Sequence, residues 1–124
     1  MSKVWTFLFF LLFFKNNVYS KPQLDGQVWQ CGDNFINRYL ALKGALLSCT
    51  KNQSLKINNC CQIHDNCYDE KTLSKYECDT SLDKCFGDAI SIEIGLKKFT
   101  CKVLISTFQI FVEMFGNRAY NKTI

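Results

Sequence analysis

The segment that decides the fold runs from Cys60 to Asp69 and reads CCQIHDNCYD. On a helix, Cys60, His64 and Cys67 would fall at positions i, i+4 and i+7, along one face. The chain has one histidine, so its only imidazole lies between two cysteines. A neighbouring row at the same spacing holds three more side chains, Cys61, Asp65 and Tyr68. The pattern predicts a helix that carries both disulfide chemistry and titratable groups.

A second pair of cysteines follows downstream at the same spacing. Cys60 and Cys67 are seven residues apart, and the later pair is seven residues apart as well. Two antiparallel helices with this spacing can be joined at two rungs, because seven residues span about two turns, near 10.5 Å, on each helix. The rungs would be Cys67 to Cys78 and Cys60 to Cys85.

These two rungs would bring an imidazole and a carboxylate into one crevice. His64 lies one turn from Cys67, and Asp79 directly follows Cys78. A carboxylate on one ring nitrogen fixes the tautomer and stabilises the imidazolium, so that the other nitrogen can take a proton from water. Asp65, next to His64, could supply hard oxygen ligands to calcium. The pattern therefore predicts a base for hydrolysis in which water is the nucleophile.

Composition narrows the class of protein. Of the 124 residues, 48% are hydrophobic and 21% are charged, which argues against a disordered chain. Six Gly and one Pro exclude a collagenous or low-complexity protein. The formal charge of +4 is modest and scattered, so we expect no nucleic-acid partner.

Residues 1–20 are typical of a secretory signal. A basic start, Met1–Lys3, precedes the apolar run Val4–Phe14, and Val18–Ser20 suits cleavage at its end. A helix of that run would extend about 17 Å, against a bilayer core of about 30 Å, so an uncleaved anchor is the less favoured alternative. No later segment reaches eighteen apolar residues, and we expect no second span. The protein is therefore predicted to be secreted, with residues 21–124 forming one domain.

The cysteines favour a disulfide framework over a zinc site. An even number in a secreted chain predicts bridges, and the paired C-x-x-C clusters of zinc sites do not occur. Counting alone leaves on the order of 100 pairings open. The eight are Cys31, Cys49, Cys60, Cys61, Cys67, Cys78, Cys85 and Cys101. We expect a small, mainly α, disulfide-rich domain with two antiparallel disulfide-linked helices.

Hydrophobic periodicity and cap residues predict the remaining elements. They are an extended lead-in over Lys21–Gln30, a helix over Asn34–Leu47 capped by Asp33, a polar loop over Ser48–Asn59, helices over Asn59–Glu70 and Tyr76–Asp88, and an apolar stretch over Val103–Phe115 with Gly116 as its C-cap. In the last stretch Leu104, Phe108, Phe111 and Phe115 share one stripe, beside Ile105 and Val112. We interpret this stripe as core; the alternative is a bilayer-contacting face, with Lys97, Lys98 and Lys102 near headgroups.

The two cysteine segments resemble a known family. Cys60–Tyr68 resembles the C-C-x-x-H-D-x-C-Y signature of secreted phospholipases A2, and Cys78–Phe86 is similar to that family's second catalytic segment. The resemblance covers about Cys49–Phe86. The chain also resembles divergent nematode proteins of this family that lack its calcium loop, including their Trp-x-Cys-Gly start, here Trp29–Gly32.

The resemblance implies a role for each site residue. It makes His64 the general base, Asp79 its partner, Tyr68 a hydrogen-bond donor to Asp79, and Asp65 a calcium ligand. In the family, calcium clamps the substrate phosphate and the ester oxyanion while water attacks the sn-2 ester. An alternative alignment would put Phe86 at the carboxylate position, but it loses the Cys-Asp pair.

The resemblance also implies the disulfide pairing. The implied bridges are Cys60–Cys85, Cys67–Cys78 and Cys49–Cys61, which leaves Cys31–Cys101.

The chain departs from the family at the calcium loop. That loop is Gly-rich, whereas no glycine occurs between Gly44 and Gly87, and Thr50 and Lys51 follow Cys49. Carbonyl wrapping usually wants positive φ, which Gly permits and Thr resists, and calcium normally takes six to eight oxygens. Calcium is therefore a doubtful cofactor.

The predicted function is a monomeric, secreted hydrolase that releases the sn-2 fatty acid from phospholipid at a membrane surface. The alternative is a catalytically silent module that binds lipid or a protein. A third, weaker possibility is a small disulfide effector with no lipid affinity.

Overall fold

The computed structural model describes residues 22–121, so the predicted signal segment, residues 1–20, lies outside the described residues. Within them the order is a two-stranded hairpin followed by helices. The strands are β1 (Gln23–Leu24) and β2 (Gln27–Val28), and the helices are α1 (Phe35–Ser48), α2 (Lys51–Glu70), α3 (Lys75–Ile90) and α4 (Leu96–Asn121). The prediction of a small, mainly α, disulfide-rich domain is confirmed.

The hairpin is the form that the predicted extended lead-in takes. Its turn, Asp25-Gly26, has φ of 53° and 80°, a pair of positive values that a tight two-residue hairpin requires and that Gly accepts without cost. Behind the hairpin, the Trp29 side chain is fully buried. Asn58 of α2 holds the strand end, because it accepts from the Gln30 N–H at 2.7 Å and donates to the Val28 carbonyl at 3.1 Å.

The predicted loop over Ser48–Asn59 is wrong, because α2 already begins at Lys51. Thr50 and Gln53 form a capping box, in which each side chain satisfies the other residue's backbone N–H. The polar residues that favoured a loop lie on the buried face. Gln53 donates to the Ile90 carbonyl at 3.1 Å, and Ser54 donates to the Ala45 carbonyl at 3.4 Å.

The other helix starts differ little from prediction. Asn34 caps α1 in place of Asp33, since its side chain accepts from the Asn37 N–H at 2.9 Å. Ser74 caps α3. Between α2 and α3 the chain turns at Lys71, which takes the left-handed conformation with φ of 57°.

Two predicted bridges are confirmed and two are wrong. Cys60–Cys85 and Cys67–Cys78 join α2 to α3 as two rungs, which fixes the two helices antiparallel. The pairings Cys49–Cys61 and Cys31–Cys101 do not form. The bridges found are Cys31–Cys61 and Cys49–Cys101.

The early start of α2 explains the correction. Cys49 precedes the helix and Cys61 lies well inside it, so about 15 Å of helical rise separates them. A disulfide tolerates a Cα separation of only about 4.4–6.8 Å. Cys61 instead meets Cys31 at the end of the hairpin, and Cys49 meets Cys101 in the first turns of α4.

Helix α4 is longer than predicted and differs from the expected core helix. Gly116 lies inside it rather than at its end. Ile105 is buried, whereas Phe111 and Phe115 are 56% and 55% exposed, so the predicted core stripe holds only in the first half. By length and composition only, α4 is the one described helix that could cross a membrane, and the expectation of no later span stays a prediction.

Candidate functional site

The α2–α3 pair brings the predicted imidazole and carboxylate into contact. His64 Nε2 lies 2.7 Å from Asp79 Oδ1, close beside the Cys67–Cys78 rung. The His64 side chain is buried, and Asp79 is largely covered. The bridge fixes the relative register of the two helices, and the register places the two side chains opposite each other. Asp79, not Phe86, therefore stands against His64, while Phe86 is buried in the core.

Two further donors bind the same carboxylate. Tyr68 donates from Oη to Asp79 Oδ1 at 2.6 Å, as the family resemblance implied, and its ring lies 4.1 Å from the imidazole. Lys75 donates to Asp79 Oδ2 at 2.7 Å. The sequence reasoning did not select Lys75, although its position four residues before Asp79 on one helix is the spacing at which oppositely charged side chains meet. The site is thus a four-residue network centred on one carboxylate.

The network holds Asp79 in its charged form. Burial alone would raise the pKa of Asp79, but hydrogen bonds from His64, Lys75 and Tyr68 outweigh burial and lower it. An ionised carboxylate can only accept, so His64 Nε2 carries the hydrogen and Nδ1 is left as the acceptor. This tautomer is the one a general base needs.

The surroundings of His64 favour the neutral imidazole. Burial lowers the pKa of His64, and the Lys75 charge lowers it further, while the bond to Asp79 partly offsets both effects. The Tyr68 pKa is raised, first by burial and then by its bond to Asp79, so its hydroxyl remains a donor. A neutral imidazole with one nitrogen held by a carboxylate can accept a proton from water at its other nitrogen.

The last turns of α4 pack over this network. A Cβ placed on Gly116 would stand 2.9 Å from Tyr68 Oη and 3.0 Å from Lys75 Cε. Tyr120 meets the Tyr68 ring edge-on, with centroids 5.2 Å apart. Lys71 lies 3.7 Å above the Tyr120 ring and donates to the Tyr120 carbonyl. Helix α4 is therefore the cover of the site.

A second carboxylate connects the cover to the site. Burial raises the pKa of Asp83, which lies one turn beyond Asp79 on α3. The Gln109 side chain on α4 hydrogen-bonds to it and partly offsets the shift, whereas the nearby charges of Glu113 and Asp79 add to it. Asp83 is thus a negative group that both His64 and α4 face.

Asp65 lies outside the network. Burial raises the pKa of Asp65 to about 6, with the Arg38 charge opposing the rise and the Asp69 charge adding to it. Within residues 22–121, no group of three or more His, Cys, Asp or Glu side chains could hold a metal ion.

The backbone at the place of the family's calcium loop is helical. Thr50 caps α2, and its N–H is already bonded to Gln53 at 2.8 Å. In a helix the carbonyls bond to backbone N–H groups four residues on, so they cannot turn together around an ion. The residues present do not fit the calcium site of the family. The ester hydrolysis proposed for this protein therefore takes no step through calcium.

Comparisons with protein-family models, with curated proteins and with solved structures gave no match to this chain.

Proposed function

We propose that the protein is a secreted hydrolase of the phospholipase A2 type, which releases the sn-2 fatty acid from glycerophospholipids. The observation that carries the proposal is the 2.7 Å contact between His64 Nε2 and Asp79 Oδ1, with Tyr68 on the same oxygen. The resemblance of the two cysteine segments to that family supports the choice of substrate.

The proposed reaction begins at His64 Nδ1. This nitrogen takes a proton from a water molecule, whose oxygen attacks the carbonyl carbon of the ester. The tetrahedral intermediate then breaks its bond to the glycerol oxygen, which receives the proton back from the imidazolium. Asp79 stabilises the imidazolium in between, and Tyr68 and Lys75 hold the carboxylate in place. The products are a free fatty acid and a lysophospholipid.

The test is fatty-acid release from vesicles labelled at the sn-2 chain. We expect His64→Ala and Asp79→Asn to lower the rate at least a hundredfold, because general-base catalysis contributes about 10²–10⁴-fold. Ile63→Ser is the matched control, since Ile63 is exposed on the same helix. Each variant is assayed with calcium and with chelator. Undiminished release by His64→Ala would refute the proposal.

A second candidate function is a silent phospholipase A2-like module that binds lipid or protein without turnover. The observation that favours it is the close packing of Gly116 on Tyr68 and Lys75, because α4 covers this side of the network. Such a protein would release no fatty acid from any phospholipid class while folded and fully bridged. Its binding to vesicles or to a partner would be the same with His64→Ala.

A further inference from the structure

Helix α4 carries apolar side chains on two opposite sides. One side packs on the rest of the protein and includes Cys101, Ile105 and Gly116, which are buried. The other side faces solvent and carries an apolar row at helical spacing, each member at least half exposed. We name this row the outer stripe; its members are Leu96, Phe99, Val103, Ile110 and Met114.

The outer stripe is not explained by the fold. The helix of a globular protein normally carries polar side chains on the side that faces away from the core. Only 17% of the most apolar 18-residue window of α4 is buried, so α4 is not an enclosed core helix. Phe99 is 64% exposed, Ile110 56% and Met114 65%. The row is interrupted by the exposed Thr107 between Val103 and Ile110, and exposed apolar side chains clustered on one helix face in this way usually mark a surface that contacts a partner or a membrane.

The charges of α4 favour an anionic lipid surface. The helix carries four basic side chains and one acidic one, and three of the basic ones lie in its first two turns, namely Lys97, Lys98 and Lys102. Within residues 22–121, neither Lys98 nor Lys102 forms an ion pair. Anionic headgroups attract each lysine, whereas α4 of a second copy would offer these lysines only one acidic side chain, Glu113.

Both ends of α4 are held against the protein. The bridge Cys49–Cys101 fixes its first turns, and the contacts of Tyr120 with Lys71 and Tyr68 fix its last turns. A helix that crossed a bilayer would have to leave these contacts. A helix that lay flat would keep them and present only its outer stripe.

We propose that the outer stripe of α4 lies in the interface of an anionic phospholipid bilayer, with the helix axis parallel to the membrane and its lysines on the headgroups. The proposal rests on the proposed function in taking phospholipid as the partner, and it deepens that function by naming the surface that meets the lipid. Docking itself needs no chemistry from His64.

The test is sedimentation with vesicles of phosphatidylcholine alone and with 30% phosphatidylserine, at several salt concentrations. We expect the full, disulfide-bonded protein to bind the anionic vesicles more tightly and to lose affinity as salt increases. Ile110→Ser and Met114→Ser should each weaken binding by about tenfold, since each removes one inserted apolar side chain. Lys98→Glu with Lys102→Glu should remove the preference for anionic lipid.

Matched variants distinguish binding through the outer stripe from nonspecific adsorption of the protein to vesicles. Ile63→Ser on α2 removes an apolar side chain that is 53% exposed, close to the exposure of Ile110, and should leave binding unchanged. Lys56→Glu with Lys84→Glu makes the same charge change on exposed positions of α2 and α3 and should have a much smaller effect.

The remaining outcomes either contradict the proposal or distinguish it from the proposed hydrolase function. No sedimentation with either vesicle would overturn the proposal. So would a dimer in analytical ultracentrifugation that Ile110→Ser dissociates, because the occupant would then be a second copy. Retention on membranes after alkaline carbonate washing would indicate a spanning helix instead. Vesicle binding without fatty-acid release would uphold docking and count against the hydrolase, and His64→Ala protein should bind as wild type does.

Discussion

Gly116 of α4 lies directly against Tyr68 of α2, so close that a Cβ on the glycine would stand 2.9 Å from the tyrosine hydroxyl oxygen. That hydroxyl donates to Asp79, and Asp79 holds His64. The absence of one side chain on α4 therefore sets how near the cover comes to the proposed base.

Gly116→Val should destabilise the protein by about 1–3 kcal/mol, because the added carbons would overpack against Tyr68 and Lys75. Gly87→Ala is the control: Gly87 is also helical, but an added Cβ would meet nothing within 4 Å. That control should stabilise by about 0.5–1 kcal/mol, the usual gain of Ala over Gly in a helix. Thermal denaturation measures both, and equal effects of the two variants would contradict the packing.

Lys75→Met should raise the pKa of His64, since the lysine charge is one of the factors that lower it. Asp79→Asn should lower that pKa, because it replaces the charged carboxylate that favours the imidazolium with a neutral amide, a weaker acceptor. The chain has one histidine, so a single imidazole resonance in an NMR titration reports the result. Lys84→Met, at an exposed position of α3, should leave the titration unchanged.

The rate of hydrolysis should require neutral His64 and should therefore fall as the pH falls through the folded pKa of this group, which lies below its ordinary value of 6.5. Because the folded state lowers this pKa, the unfolded state binds the proton more readily. The stability that His64 contributes is thus complete above pH 6.5 and is lost as the pH falls through the folded pKa. Two quantities measured between pH 4 and pH 8 test these statements separately. The rate of fatty-acid release tests the first, and the free energy of unfolding tests the second.

Asp65→Asn should stabilise the protein at pH 7.5 by about 1 kcal/mol, a figure reduced for the partial exposure of the group. The folded state raises the Asp65 pKa from 3.8 to about 6, so its contribution is present below pH 3.8 and is lost as the pH rises through 6. The gain should accordingly shrink at pH 4. Asp88→Asn, at an exposed position, is the control. A calcium ligand would behave differently: calcium would raise the melting temperature of wild type, and Asp65→Asn would abolish that rise.

Removing the Cys49–Cys101 bridge should cost about 1 kcal/mol more than removing Cys67–Cys78. The first closes a separation of 52 residues and the second one of 11, and the entropy removed from the unfolded chain grows with loop length. Paired Cys→Ala variants in urea denaturation give the two values.

Peptide mapping of the unreduced protein should recover Cys31 with Cys61, and a peptide joining Cys49 to Cys61 would contradict the structure.

The dyad and the two rungs could be predicted because they depend on spacing alone. Cys60, His64 and Cys67 define a helical face by their separations, and the equal spacing of the later cysteines defines the partner helix. The start of α2 could not be predicted in this way. Gln53, Ser54 and Asn58 have the composition of a loop, yet they lie on a buried face and bond to backbone groups distant in sequence.

The early start of α2 also explains why two of the disulfide pairings implied by the family resemblance are wrong. A loop between Cys49 and Cys61 would let the two sulfurs meet, whereas the helix that is present holds them apart and gives each a different partner. Lys75 was missed for a different reason: surface-type charges four residues apart are common on helices, and nothing in the sequence marks this one as facing a partly buried carboxylate.

The four side chains of the network all lie between Cys60 and Cys85, a stretch closed by two bridges of short separation, 25 and 11 residues. Short loops lose little entropy on closure, and local contacts form early in folding. The α2–α3 hairpin can therefore assemble His64 against Asp79 before the N-terminal hairpin or α4 has docked. The hydrogen-bonded network is thus built within one disulfide-closed segment, and substitutions in α1 or on the solvent-facing side of α4 can change the surroundings of His64 without changing how it meets Asp79.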